Sequence, residues 1–238
     1  MQLPMEHPFR PAEKELRTKR TAPRIVERLV ERLAIPAKLI ESEIADATTI
    51  STMKALDRLL IGLDYRGKPV YLPPSKTQTQ APAKVFIPAV PGNKLPPETE
   101  TEGDKLVTRN PEGLSLTPPG EALANLLQEK LAVKLNEVDL DHLASHLPRI
   151  LVEELQLMKG FRLTRLGGTI HIRIEGSAHA SLCTSIEKET AICQTLGCPL
   201  TSAIAITLAR TTRKPITIDT VETSNDHRTM EAWYGILK

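Results

Sequence analysis

A chain of 238 residues with 40% hydrophobic and 25% charged side chains has the composition of a soluble globular protein, with room for a core domain and a smaller companion. Aromatics at 3% leave the core to aliphatic side chains, and a net charge of +2 does not by itself imply a nucleic-acid partner. Three cysteines, an odd number, argue against a secreted disulfide framework and for a reducing compartment. A cytoplasmic location is expected, with membrane association left open.

Residues 1–22 read as a basic, proline-punctuated flexible arm carrying Arg10, Lys14, Arg17, Lys19 and Arg20, without the apolar core of a signal peptide. Such an arm can touch phosphate or an anionic membrane surface. With Phe9 its only aromatic, a solvated tail is the plainer reading. Residues 23–63 form a helical region. Pro23 suits a first turn, and Ile25, Val26, Leu29, Val30 and Leu33 recur at helical spacing before Pro36. A second helix, over about 37–63, is weakened by the cluster Thr48, Thr49 and Thr52.

From 64 to 119 the chain changes character. Eleven of the 19 prolines lie within 64–120, so this stretch reads as a proline-rich linker with a short edge strand or two at Val70–Leu72 and Val85–Ile87. Residues 120–238 form an α+β domain, helices over 120–158 and a sheet with central helices over 160–238. Leu123, Leu126, Leu127 and Leu131 make one helical stripe. Asp139 is placed to N-cap a second helix with Leu140, Leu143 and Leu147 inward. His142 and His146 share a helix face, as zinc ligands can, but lack a third ligand nearby and read as ordinary helix surface.

Phe161–Leu166 and Thr169–Glu175 alternate about Gly167-Gly168, the pattern of a hairpin. One helix is expected from Ser177 to Gly197 and another from Pro199 to Lys214, then strands from Ile216 and from Arg228. The order β-β-α-α-β-β predicts an antiparallel sheet with helices on one face. The uncharged run 190–208 is broken by Gly197-Cys198-Pro199 and reads as buried helix rather than a membrane span.

Chemistry concentrates near Cys198. It falls at the N-cap of the helix begun by Pro199, where the dipole and free N–H groups favour a thiolate. His171 and His179 are the histidines closest in sequence to serve as its base. The plainer alternative is a buried cysteine behaving as a small hydrophobe. His179, Cys183, Cys193 and Cys198 can be drawn as an improvised metal site, although their spacing matches no standard ligand pair. The helix Leu200–Leu208 is apolar nearly all round. Its small residues, Ser202 and Ala205 among them, admit close packing or line a pocket for an apolar ligand.

The run ICQTLGCPLTSAIAITLARTTRKPITI, with YRGKPVYLPPS and LSLTPPGEALANLL upstream, resembles uncharacterised archaeal proteins over residues 65–238. The last domain is similar to the 4-vinyl reductase domain, a small α/β ligand-binding module. Leu200–Leu208, Val221-Glu222-Thr223 and 228–237 echo its order of helix, strand, turn and strand. The metal-type cysteines which that family carries at the last turn are replaced here by Thr223-Ser224-Asn225-Asp226-His227-Arg228. The resemblance therefore implies binding rather than metal or tetrapyrrole chemistry.

The expectation is a non-enzymatic regulatory module that binds a small apolar ligand or docks a protein partner, with a homo-oligomer left open. Cys198, Ser202, Ala205 and His171 are the candidate ligand contacts, and no cofactor is specified. The alternatives are a thiol- or metal-dependent protein using Cys198 with Cys183, Cys193 and His179, and an assembly component whose basic arm meets nucleic acid or membrane.

Overall fold

The computed structural model describes residues 41–65, 67–75, 82–92, 95–97, 106–190 and 192–237. The expected basic arm, the helix at 23–33 and much of the polar linker lie outside the described residues. The chain divides into two compact units, Met1–Ala47 and Thr48–Lys238.

Helix α1 runs from Glu41 to Leu63. Its threonine cluster does not break it, and Thr52 Oγ1 donates back to the Thr48 carbonyl at 3.1 Å without leaving the helix. Within the second unit, Met53 is buried in the core, with Ile50, Leu56 and Leu60 packed beside it.

An antiparallel sheet of eight strands, in the order β3-β4-β2-β1-β7-β8-β6-β5, organises the second unit. The strands are β1 (Val70–Leu72), β2 (Lys84–Pro88), β3 (Val107–Arg109), β4 (Glu112–Leu116), β5 (Gly160–Leu166), β6 (Thr169–Glu175), β7 (Ile216–Thr223) and β8 (Thr229–Ile236). The α+β class and the hairpin at Gly167-Gly168 are as the sequence implies. The proline-rich stretch contributes more than a strand or two. Its β1 to β4 form one half of the sheet, and β1 joins β7 through the pairs Val70–Thr217 and Tyr71–Ile216. Of these short strands only β1 borders the C-terminal half, and β2, β4 and β3 pair outward from it in series.

The helices cover one face. Ile170, Ile172 and Ile174 of β6 are fully buried, while the alternate residues His171 and Arg173 are partly exposed. Burying each isoleucine contributes about 1.5–3 kcal/mol. The cover is formed by α2 (Glu121–Leu131), α3 (Leu140–Pro148), α4 (Ala180–Glu189), the single turn α5 (Ile192–Thr195) and α6 (Pro199–Thr212). Asp139 caps α3 by accepting the His142 N–H at 2.8 Å, and the His142 and His146 rings stack at 4.0 Å.

The single helix expected from Ser177 to Gly197 is divided in two. Thr190 is extended, with φ −147° and ψ 157°, and both its N–H and its hydroxyl return to the Ile186 carbonyl at 2.9 Å. That closes α4 before α5 begins at Ile192.

Helix α6 lies at the centre. Its residues Leu200–Ala209 are all buried, and it packs on α2, α3, β1 and β7. The small side chains serve close packing. A Cβ on Gly120 would stand 2.1 Å from the Ala203 nitrogen, and the Gly120 N–H donates to Ser202 Oγ at 3.0 Å.

Candidate functional site

Gly197-Cys198-Pro199 makes the turn that aims α6 at the sheet. Gly197 has φ +75°, a conformation L side chains rarely adopt, and a Cβ there would come within 2.4 Å of Thr201 Oγ1 and 2.8 Å of Ile218 Cδ1. Its N–H closes onto the Ile192 carbonyl at 2.9 Å. Pro199 occupies the first helical position, where the missing N–H is no loss, and Cys198 is the N-cap as expected.

Two tyrosines from the sheet hold this turn from beneath. The Tyr71 hydroxyl of β1 donates to the Leu196 carbonyl, and that of Tyr234 in β8 donates to the Thr201 carbonyl at 3.1 Å. Both rings are fully buried, and burial holds both phenols neutral by raising their pKa. Their hydroxyls are structural donors.

Above β7, these elements enclose a cleft of about 130 Å³. Cys183 and Glu187 of α4, Cys193 of α5, and Cys198 and Thr201 of α6 form the helical wall. The sheet side comprises Ile218 to Val221 and Thr223 of β7, Met230 of β8, and His227 from the connecting turn. A β-bulge between Ile218 and Thr220 shifts the β7–β8 register at this point. Bulges re-aim side chains and are frequent beside functional sites. The bulged Asp219 is held by the Thr217 hydroxyl at 2.7 Å and by Lys68 Nζ at 2.5 Å.

The thiols differ sharply in character. Cys198 is lowered from an ordinary 9.0 to about 6, first by a hydrogen bond with Cys183, against the opposing cost of burial. Thr201 and the N–H groups at the start of α6 add to the lowering. The sulfur makes no capping hydrogen bond of regular geometry, so these N–H groups act on it as nearby positive dipoles. The Thr201 hydroxyl lies 3.1 Å from the Cys198 carbonyl and 3.5 Å from Sγ. Cys193 is pushed up to about 12, chiefly by burial and then by the negative charges of Cys198 and Glu187. The two thiols are thus pushed in opposite directions, Cys198 down and Cys193 up.

The remaining sequence candidates go elsewhere. Ser202 meets Gly120 and Ala205 is buried within α6; neither lines the cleft. His171 points to the other face of the sheet, where Nε2 lies 3.1 Å from Glu231 Oε2 and the ring stacks on Trp233 with centroids 4.9 Å apart. His179 is the N-cap of α4, engaged through its backbone carbonyl by the Cys183 N–H at 2.9 Å, and does not line the cleft. Among the described residues, no group of three or more His, Cys, Asp or Glu side chains is placed to hold a metal ion.

The histidine in the cleft is His227. Its Nδ1 is buried and lies 3.3 Å from Glu187 Oε2 without a hydrogen bond between them. Sequence reasoning did not place His227, Glu187 or Thr201 in the site. Only Thr201 carries a local signal, standing three residues after the N-cap, where a side chain reaches back to the capping position.

The family model described as a domain of unknown function (DUF7982) matches residues 29–233, and the chain belongs to that family. No curated protein and no solved structure matches it. Among the described residues, no helix is long and apolar enough to cross a membrane.

Proposed function

We propose that this chain is a non-enzymatic regulatory module that binds a small ligand in the cleft between β7 and helices α4–α6. The observation that supports this best is the cleft itself, where a buried acidic thiol meets apolar side chains, Ile218, Val221 and Met230, and threonine hydroxyls. A cavity of roughly 150 Å³ admits benzene, whereas drug-sized ligands need about 300–1,000 Å³. At about 130 Å³, the cleft suits a compact ligand of benzene size and is too small for a tetrapyrrole. The hydrogen-bond partners of Cys198, Cys183 and Thr201, are donors rather than bases, which suits recognition better than nucleophilic turnover.

The similarity of residues 200–237 to the 4-vinyl reductase domain supports the same reading. Archaeal lineage and a cytoplasmic location belong to the proposal too. A second reading, thiol-dependent function, is favoured by the gathering of Cys183, Cys193 and Cys198 on one cleft.

Titrating phenol into isotope-labelled, reduced protein tests the binding function. Amide shifts centred on Cys183, Cys198, Thr201, Val221 and Met230 are expected. Shifts centred elsewhere, or none at millimolar phenol, overturn it.

A further inference from the structure

We infer that Cys198 and Cys183 are an oxidisable pair, which a small hydroperoxide entering the cleft joins as a disulfide. The inference rests on the same cleft as the binding function and deepens its thiol reading.

Three elements bring their cysteines to one cleft, α4 with Cys183, α5 with Cys193 and α6 with Cys198. They are not equivalent. Cys183 and Cys198 stand on the same helical wall of the cleft, and the Cys183 thiol is the first cause of the lowered Cys198 pKa, whereas burial and adjacent negative charge raise that of Cys193. Attack on a peroxide needs a thiolate, which Cys198 supplies, and the resulting sulfenic acid needs a second thiol close by. Cys183 meets that need.

The bond changes are balanced. The Cys198 thiolate attacks one peroxide oxygen, an S–O bond forms and the O–O bond breaks. Cys198 becomes a sulfenic acid, and the hydroperoxide leaves as an alkoxide or hydroxide that takes a proton from solvent. The Cys183 thiol then attacks the Cys198 sulfur. An S–S bond forms, the S–O bond breaks, and hydroxide leaves with the Cys183 proton as water. Two thiols are oxidised by two electrons and one hydroperoxide is reduced.

The cleft limits the oxidant to a small one. It also limits the consequence, because the cross-link ties the second turn of α4 to the N-cap of α6 across the wall where a ligand would sit.

The test treats reduced full-length protein with hydrogen peroxide, alkylates it after unfolding and maps tryptic peptides. Lys188 separates Cys183, in peptide 174–188, from Cys193 and Cys198, both in peptide 189–210. The expected product is peptide 174–188 cross-linked to 189–210 through Cys198, with Cys193 alkylated and the intact protein lighter by two hydrogens. Cys198→Ser should lose the cross-link, and Cys183→Ser should leave a dimedone-reactive sulfenic acid on Cys198. The wild-type map stands even if a variant fails to fold.

A link through Cys193, a sulfinic Cys198 beside an alkylated Cys183, or no oxidation overturns the inference. Phenol binding is measured on the same reduced sample. Binding without a disulfide sinks this inference and leaves the binding function standing, whereas loss of both sinks both.

Discussion

Replacing Gly197 with alanine strikes the one residue on which the turn and the thiol both depend. At φ +75° an L residue costs about 1–2 kcal/mol more than glycine. The new Cβ would lie 2.4 Å from Thr201 Oγ1 and 2.8 Å from Ile218 Cδ1, so both must move. Overpacking of this kind typically costs about 1–3 kcal/mol. Thr201 cannot rotate without giving up its contacts with the Cys198 carbonyl and Sγ. The sum is about 2–5 kcal/mol, a large share of the ~5–15 kcal/mol that holds a typical domain together. Urea unfolding of wild type and Gly197→Ala under reducing conditions measures it as a lower midpoint at unchanged slope. The variant that remains folded should also show a less acidic Cys198, because its Thr201 donor is displaced. A loss below ~0.5 kcal/mol, within the usual range of an unremarkable surface change, would refute the reasoning.

Gly120→Ala should be at least as damaging, because the Cβ would meet backbone, 2.1 Å from the Ala203 nitrogen and 2.5 Å from the Pro199 carbonyl oxygen, which no rotamer relieves; thermal unfolding checks it. Tyr234→Phe leaves the ring and removes the donor to the Thr201 carbonyl, so a loss of about 0.5–1.5 kcal/mol is expected in urea unfolding. Ile172→Ala, at a fully buried position, should cost about 2–5 kcal/mol, far more than His171→Ala one residue away on the solvated face. Stability should also fall on acidification between about pH 9 and pH 6, the sign following from Cys198. Its folded pKa lies below its unfolded value, so its contribution is complete above 9.0 and vanishes as pH drops through about 6. Cys183, Cys193, Glu187, Asp219, His227, Tyr71 and Tyr234 surround it from the packed elements, so the comparison is wild type against Cys198→Ser, in which that part of the slope should disappear.

The C-terminal half was legible because its patterns are local. Alternation in Thr169–Glu175, the Gly167-Gly168 turn, and proline at the start of α6 each report their own backbone. The strands β3 and β4 were not, since Glu112–Leu116 gains its order from pairing with β2 and Val107–Arg109 from pairing with β4, rather than from alternation of their own. The N-cap position of Cys198 could be read from Pro199, and its acidity from the helix terminus. Cys183 and Cys193 were legible as its companions, and both line the cleft with it, whereas Glu187 and Thr201 were not, because nothing local ties them to a thiol. Sequence proximity points to His171 and His179, whereas the bend between β7 and β8 brings His227 to the cleft.

The cleft presents Cys198, its pKa lowered by Cys183 and the start of α6, to small solutes. Its most direct test follows alkylation of each cysteine in folded, reduced protein against pH, with iodoacetamide as the small reagent and a bulky fluorescent maleimide as the large one. Iodoacetamide is expected to modify Cys198 first, with a midpoint near the lowered value of about 6, while Cys193 stays silent and the bulky maleimide is excluded. A Cys198 that reacts only after unfolding, or only as pH approaches the ordinary thiol value of 9.0, would contradict it.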